Sequence, residues 1–347
     1  MSPTSPTSPT RPMSRRPQAW LIAIALACVC TMPAAAYIKF GIPLNGQTVT
    51  LKWKTMPVRY FVSNRLAVPG VTLDQFDAAV GRAFASWQAI PTSAITYLRG
   101  GFSNAAPRDD DGVTVLGFEA HPEQDRVLGA TSFTIDGQQG TIVEADIFFN
   151  SAFPWSVASG GETGRFDLES IALHEIGHLT GLGHSALGET ELQPSGGRRV
   201  IAASAVMFPI AYSPGNIDGR NLRADDIAGA SDLYPDGNFN SAFGSVSGRV
   251  TKNGTGVYGA HVVAFNLRTQ KLVGNFTLNA NGDYVISGLE PGPNVIRVEP
   301  LDDGDVTSFF DSTAHVDVDF KVTYADQLAI VPRGGNMAGI NIAVTPK

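Results

Sequence analysis

Cysteine is nearly absent from the 347-residue chain, and the two that occur, Cys28 and Cys30, both lie in the apolar run 20–30. A helix needs about 20 apolar residues to cross a bilayer, so this run is too short to do so. Two arginines precede it and the small residues 33–36 follow it, an order typical of a secretory signal cleaved after Ala36. We therefore expect a secreted, extracellular protein without disulfides or a stable membrane anchor, stabilised by packing and bound ions.

A twin-arginine signal and a lipid anchor on Cys28 are the alternatives for this region. The first is disfavoured because Pro17 and its neighbours stand where such a signal would carry bulky apolar residues. Residues 2–10 repeat Ser-Pro-Thr, a composition that cannot pack a core. We therefore expect translation to begin at Met13.

Positive charge is also scarce, with 25 lysines and arginines against 32 acidic residues and a formal net charge of -7. Arg11, Arg15 and Arg16 lie in the first 36 residues, which contain no acid, so the remainder is more acidic still. Such a chain lacks the basic surface that nucleic acid requires. We expect no nucleic-acid partner, and no pattern specifies an oligomeric state.

The length and the 43% hydrophobic content suit two domains, and the chain changes character near residue 240. Before that point, strand-like segments such as 58–62 and 142–149 alternate with helical periods. After it, short alternating strands are separated by turns such as 281–283, which predicts an α+β domain followed by an all-β sandwich. The expected boundaries are a signal region at 1–36, a short N-terminal segment at 37–50, the first domain at 51–236, a linker at 237–245 and the sandwich at 246–347.

Residues 174–184 combine three histidines in a pattern that predicts a metal site. Asp167 can cap a helix on which His174 and His178, four residues apart, project from the same face. Gly181 can take the left-handed conformation that ends the helix and returns His184 as a third ligand. Three imidazoles with an open fourth position are typical of one catalytic zinc ion.

Glu175 points away from the ligand direction, because adjacent residues on a helix diverge by about 100°. Its carboxylate can act as general base on a zinc-bound water that attacks a carbonyl, then pass the proton to the departing amine. The motif has five fixed residues, three histidines with Glu175 and Gly181, and their chance coincidence has a probability on the order of 10⁻⁵, which favours the functional interpretation. His121, His261 and His315 lack partners at ligand spacing and are interpreted as surface or packed residues.

The extended motif resembles that of the metzincins. Ser185 after the third histidine, together with the lead-in 167–170, is similar to the matrixins in particular. Residues 204–209 resemble the matrixin Met-turn, with Met207 as a hydrophobic floor beneath the ligands, and 222–234 resemble the closing helix. The resemblance implies a metzincin-like catalytic domain, a twisted mixed sheet with long helices, and a zinc metalloendopeptidase acting on proteins or peptides.

The matrixin resemblance also implies roles around the cleft. Residues 128–133 resemble the antiparallel edge strand that pairs with substrate, and 207–220 would form the pocket wall. Tyr212 lies too far from the Met-turn methionine to reach the metal, so a pocket-wall or surface position is expected. Asp225 and Asp226 either cap the last helix or include a buried acid bonded to the Met-turn.

The chain departs from the matrixin pattern in three respects. No histidine lies between 122 and 173, and Asp146 stands near an expected ligand position, so we predict no structural zinc. Residues 147–150 replace the acidic calcium-binding run, and 109–111 form either a solvated acidic loop or an ion site, which leaves Ca²⁺ doubtful. Many matrixins are kept inactive by a propeptide cysteine on the zinc, but no cysteine follows residue 36 here. We therefore expect activity without further processing.

The C-terminal region, with glycines at turns such as 282 and 288, resembles carboxypeptidase regulatory-like modules of the transthyretin type. Such modules serve stability, spacing or adhesion, and this one shows no catalytic cluster. Two functional classes stay open: a secreted endopeptidase, or an extracellular adhesion or binding protein with a vestigial metallopeptidase domain. The intact Glu175 favours the first.

Overall fold

A computed structural model describes residues 39–347 except 45, 46, 66, 109, 195 and 311. The expected signal region and both cysteines lie outside the described residues. None of the described helices is both long and apolar enough to cross a membrane.

Residues 39–236, called the N-terminal part below, alternate strands with helices. Its helices are α1 (Leu73–Gln88), α2 (Leu168–Thr180) and α3 (Ala224–Leu233), with a 3-10 turn at Asp218–Arg220. Its strands are β1 (Gly41–Leu44), β2 (Gln47–Thr50), β3 (Lys52–Trp53), β4 (Val58–Ser63), β5 (Tyr97–Ser103), β6 (Val115–Glu119), β7 (Gly129–Asp136), β8 (Thr141–Asn150), β9 (Trp155–Ser156), β10 (Phe166–Asp167), β11 (Gly188–Leu192) and β12 (Arg198–Ala203).

The main sheet of this part has six strands in the order β3-β8-β6-β4-β5, with β7 paired to β8. Every pairing is parallel except that of β7, which runs antiparallel along β8 and forms an edge of the sheet. This mixed sheet with few helices is consistent with the expected α+β arrangement. The hairpin of β11 and β12 stands apart from it.

Helix α1 supports the helix that carries the histidine motif. It starts in a capping box, because the Thr72 hydroxyl accepts from the Gln75 amide and the Gln75 side chain accepts from the Thr72 amide. Its buried face ends at Trp87, whose indole N–H donates to the Leu173 carbonyl of α2 at 2.8 Å. The two helices therefore share one core with the sheet.

Residues 237–347, the C-terminal part, are built almost entirely of strands. The short helix α4 (Phe239–Ala242) and a 3-10 turn at Val306–Ser308 are its helical segments within the described residues. Its strands are β13 (Gly244–Lys252), β14 (Thr255–Gly256), β15 (His261–Asn266), β16 (Leu272–Phe276), β17 (Asp283–Leu289), β18 (Gly292–Glu299), β19 (Thr323–Tyr324), β20 (Ala329–Val331), β21 (Asn336–Met337) and β22 (Ile342–Val344).

These strands form two five-stranded sheets that enclose a common core. One has the order β14-β13-β17 with β21 and β22 also on β13, and the other has the order β16-β15-β18-β19 with β20 also on β18. Apolar residues from both sheets, such as Val246 and Val262, belong to one buried cluster. This is the layered packing that alternating strands favour.

A further buried cluster joins the two parts of the chain. The cluster comprises Ala186, Val200 and Phe208 from the N-terminal part with Phe276, Leu278, Leu301, Phe309 and Phe310 from the C-terminal part. A hydrogen bond joins the two parts as well, because Asp225 of α3 accepts from the Gly274 amide of β16 at 2.8 Å. The C-terminal part is thus packed against the segment that follows the histidine motif.

Candidate metal centre and active site

Both ends of α2 are fixed by the residues that the sequence indicated. At its start the Asp167 carboxylate accepts from the Ser170 amide at 2.9 Å. At its end Gly181 has φ of 108°, and a Cβ there would lie 2.9 Å from the Leu51 carbonyl oxygen. Glycine is therefore required both for the left-handed conformation and for the close approach of another segment.

Sequence reasoning missed the partner of the Asp167 cap. Arg220 reaches it from the 3-10 turn at 218–220 and places two guanidinium nitrogens on the two carboxylate oxygens. This ion pair raises the pKa of Arg220 and ties the start of α2 to the segment beyond the Met-turn. Asp167 and Arg220 are 53 positions apart, and nothing in the sequence indicated that they would pair.

The three motif histidines converge in the structure. Their candidate ligand atoms all lie within 4.8 Å of one another, and the Nε2 atoms of His178 and His184 are 3.1 Å apart. The Nδ1 atom of each ring meets a backbone carbonyl, and the accepting residues for His174, His178 and His184 are Val206, Leu182 and Ser308, at 2.8, 2.8 and 2.5 Å. An imidazole that donates from Nδ1 leaves its Nε2 lone pair free, so three lone pairs face one point.

Burial keeps these rings neutral. Desolvation lowers the pKa of all three histidines, and the proximity of the rings lowers it further for His178 and His184. The pKa of His184 falls to about 3. Unprotonated imidazoles are the form that binds a metal, so the donor set fits a zinc ion with three protein ligands.

Glu175 lies beside this cluster, buried to 5% exposure. Its Oε2 accepts a hydrogen bond from the Thr131 hydroxyl of β7 at 2.8 Å. Burial raises the pKa of the carboxyl to about 7, and the Thr131 bond opposes that rise. A carboxyl with a pKa near neutrality is suited to exchange protons during a reaction.

A cleft of about 1270 Å³ opens over the histidines and Glu175. One wall is β7, whose opposite edge is already paired with β8, and the other includes residues 205–212. Tyr212 lines this second wall, where its hydroxyl accepts from the Ala203 amide at 3.0 Å. The strand expected at 128–133 is β7, which runs from Gly129 to Asp136 and lines the cleft.

Met207 forms a buried floor next to α2, with 2% of its surface exposed. A Cβ on Gly177 would lie 2.2 Å from its sulfur, so only glycine permits this approach. The turn that carries Met207 is held by Asp226, which accepts from the amides of Val206 and Met207 at 2.9 and 3.1 Å. Asp226 also accepts from the Arg223 amide at the start of α3, so it fills both roles that the sequence left open.

The remaining histidines lie apart from the cluster. His121 meets the carboxylates of Glu119 and Glu123, and the buried His261 meets Glu299 at 2.9 Å. His315 is exposed. Within the described ranges, the histidine triad is the one group of three or more side chains placed to share a metal ion.

The acidic residues considered as ion ligands bond locally. Asp146 accepts from the amides of Arg108 and Val115 at 2.9 and 2.8 Å, and burial raises its pKa to about 8. Asp110 accepts from the Thr134 hydroxyl, and Asp111 from the Val113 amide. Asp109 lies outside the described residues, and the absence of a structural zinc stays a prediction.

Three imidazoles that could share a metal ion, beside a buried carboxylate, are the arrangement typical of metal-dependent hydrolytic centres. Residues 52–235 match the matrixin peptidase family, and the chain belongs to that family. It is therefore related to zinc-dependent metalloendopeptidases.

Individual relatives show the same kinship at modest identity. The chain is 28% identical over 193 residues to matrix metalloproteinase-20 of Homo sapiens, which covers 53% of this chain and 32% of that protein. It is 29% identical over 200 residues to metalloendoproteinase 1-MMP of Arabidopsis thaliana (53% and 44%). With metalloendoproteinase 1 of Glycine max it shares 30% over 172 residues (46% and 46%). The match thus spans less than half the length of each relative.

Proposed function

We propose that the chain is a secreted zinc-dependent endopeptidase in which His174, His178 and His184 hold one zinc ion and Glu175 is the general base. The observation that carries this proposal is the convergence of three free Nε2 atoms beside a buried carboxylate. Membership of the matrixin family supports the same reaction class.

When bound, zinc lowers the pKa of a water and polarises a carbonyl. Glu175 then accepts a proton from the attacking water and donates it to the nitrogen of the departing amine. The Thr131 hydroxyl orients its Oε2 for this role. Burial raises the pKa of the carboxyl to about 7, so it can both accept and release a proton near neutral pH. The residues of this chain thus orient the base and exclude solvent, and no covalent acyl intermediate is required.

Substrate binding follows from the edge position of β7. An extended peptide adds to the edge of a sheet through backbone hydrogen bonds, and β7 offers such an edge along the cleft. The side chain after the scissile bond would enter the space bounded by residues 205–212. We propose protein or peptide substrates bound in extended form.

Secretion and domain organisation belong to the same proposal. We propose a signal at 1–36, a short segment at 37–50, a catalytic domain at 51–236, a linker at 237–245 and a regulatory-like sandwich at 246–347. Two sheets around one core support the last assignment, although α4 and the first residues of β13 fall within the linker.

The test is cleavage of casein or gelatin by the full chain, with and without a chelator. Activity is expected to vanish with the chelator, to return with zinc, and to be absent in Glu175→Ala. The matched control is Glu189→Ala, at an exposed position of β11, which is expected to retain activity. The absence of any chelator-sensitive difference in cleavage between the wild type and Glu175→Ala would instead favour an adhesion or binding protein with a vestigial site.

A further inference from the structure

We propose that the C-terminal part is a component of the metal centre, because its backbone orients the third histidine through the carbonyl of Ser308. The inference rests on the proposed zinc site and adds a positioning role for a region with no ligand of its own. The His184 Nδ1 atom lies 2.5 Å from the Ser308 oxygen, across 124 positions of sequence.

His184 needs this support more than the other two ligands. His174 and His178 stand on α2, whose backbone is fixed at both ends. His184 follows Gly181 in a loop, so no helix restricts the direction of its ring. The carbonyls that meet the first two rings belong to Val206 and Leu182 of the N-terminal part, whereas the one that meets His184 comes from the C-terminal part.

The Ser308 carbonyl is held in place by its own turn. The Ser308 amide donates to the Asp305 carbonyl at 2.8 Å, and the Phe309 amide to the Val306 carbonyl at 3.0 Å. The oxygen on His184 belongs to the peptide bond between Ser308 and Phe309. The Phe309 side chain is attached to the residue whose amide completes that peptide, so its packing adds to the backbone bonds that hold the carbonyl in place.

The Phe309 ring is buried between the metal centre and the C-terminal sheet. Its centroid lies 6.5 Å from that of His184, edge to face, and 5.9 Å from that of Phe276 on β16. Both contacts restrain the ring, which is 8% exposed. A side chain of β16 is thus linked to the third ligand through a single phenylalanine.

A second attachment holds the same segment to the N-terminal part. The Asp303 carboxylate accepts from the Thr190 amide at 2.7 Å, and its backbone oxygen accepts from the Thr190 hydroxyl at 2.8 Å. Thr190 lies on β11, six residues after His184. Residues 303–309 therefore contact the ligand-bearing segment at two points, His184 and Thr190.

Loss of such an outer partner of a metal-bound histidine typically weakens metal binding about 10- to 100-fold. Phe309→Ala is expected to raise the zinc dissociation constant at least about 10-fold by freeing the Ser308 peptide. Phe310→Ala is the matched control: Phe310 is the adjacent residue, is 9% exposed, and also packs on Phe276. Its ring contacts Tyr258 and Phe276, and no contact with His184 is observed among the described rings.

The experiment compares both variants with the wild-type full chain by competition for zinc with a chromogenic chelator. The visible spectrum of the cobalt-loaded proteins serves as a second readout, because it reports ligand geometry. We expect weaker zinc binding and an altered spectrum for Phe309→Ala, and values within about two-fold of wild type for Phe310→Ala. Equal zinc affinities in all three proteins, or equal losses in both variants, would overturn the proposal.

A measurement on the unaltered protein covers the case in which Phe309→Ala does not fold. In the zinc-loaded chain with ¹⁵N-labelled histidine, His184 is expected to carry a slowly exchanging Nδ1 proton. A His184 ring without that proton, or one that exchanges it as fast as the exposed His315, would overturn the proposal. A wild type that binds zinc in this way but cleaves no protein would contradict the endopeptidase proposal and leave this one standing.

Discussion

The histidine cluster has two portions that are built in different ways. We call His174 and His178, with α2 that carries them, the helix half, and His184 with its loop the loop half. His174 and His178 stand four residues apart on α2, a helix with a carboxylate cap at one end and a left-handed glycine at the other. His184 lies in a loop, and its ring meets a carbonyl from the C-terminal part. The helix half depends on local sequence and core packing, whereas the loop half depends on a distant region of the chain.

The largest expected effect tests whether the helix half carries the chemistry. Glu175→Gln is expected to lower kcat/KM about 100- to 10,000-fold, because the general base is lost while the histidines stay in place. Zinc stoichiometry, measured by metal analysis of the same sample, is expected to stay at wild-type level. Full activity in this variant at wild-type zinc content would show that Glu175 does not act as the base.

The next effect tests the packing of the helix half. Gly177→Ala is expected to lower the free energy of unfolding by about 1–3 kcal/mol, because the new Cβ would overlap the sulfur of Met207. Gly81→Ala on α1 is the matched control, since no atom lies within 4 Å of its Cβ position. Chemical denaturation should show Gly81→Ala unchanged or stabilised by up to about 1 kcal/mol. Similar destabilisation of both would mean that Met207 yields readily.

A smaller effect concerns the orientation of the base. Thr131→Val is expected to lower kcat/KM about 10-fold, because the Glu175 carboxylate loses a hydrogen-bond donor. Zinc affinity should be unchanged, and Thr131→Ser, which keeps the hydroxyl, should restore most of the activity. Steady-state kinetics on one peptide substrate provide the measurement. A Thr131→Val variant with wild-type kcat/KM would show that Thr131 does not orient the base.

The smallest effect concerns the contact between the two parts of the chain. Burial raises the pKa of Asp225 to about 7, above its ordinary value of about 3.9. The stability contributed by its protonated form is complete below about pH 4 and is lost as the pH rises through 7. Asp225→Asn can still accept from the Gly274 amide. Its unfolding free energy should therefore gain about 1 kcal/mol relative to wild type between pH 6 and 7.

Denaturation of both proteins at equal zinc concentration across that range provides the measurement. The neighbouring Asp226, whose pKa is also raised by burial, is present in both proteins. A difference that does not change with pH would show that Asp225 stays ionised in the folded chain.

The helix half could be predicted because its determinants lie within one short stretch. The spacing of His174 and His178 sets their common face, and the cap and the glycine mark both ends of α2. The mixed sheet followed from strand patterning and family resemblance. In each case the residue type itself carries the structural signal.

The loop half could not be predicted in the same way. The partner of His184 is a backbone oxygen, which every residue possesses, so no side chain at 308 marks it. The bonds of Asp167 to Arg220 and of Thr131 to Glu175 join segments 53 and 44 positions apart. Such pairings depend on tertiary packing rather than on sequence pattern.

The distance along the chain between His184 and Ser308 also imposes an order of events during synthesis. A ribosome adds about 5–20 residues per second, so roughly 6–25 s separate the addition of the two residues. During that interval the helix half can be complete while the third imidazole has no carbonyl to hold it. A newly made chain would then acquire its tightest metal binding only after Ser308 has been added and the C-terminal part has packed against the loop.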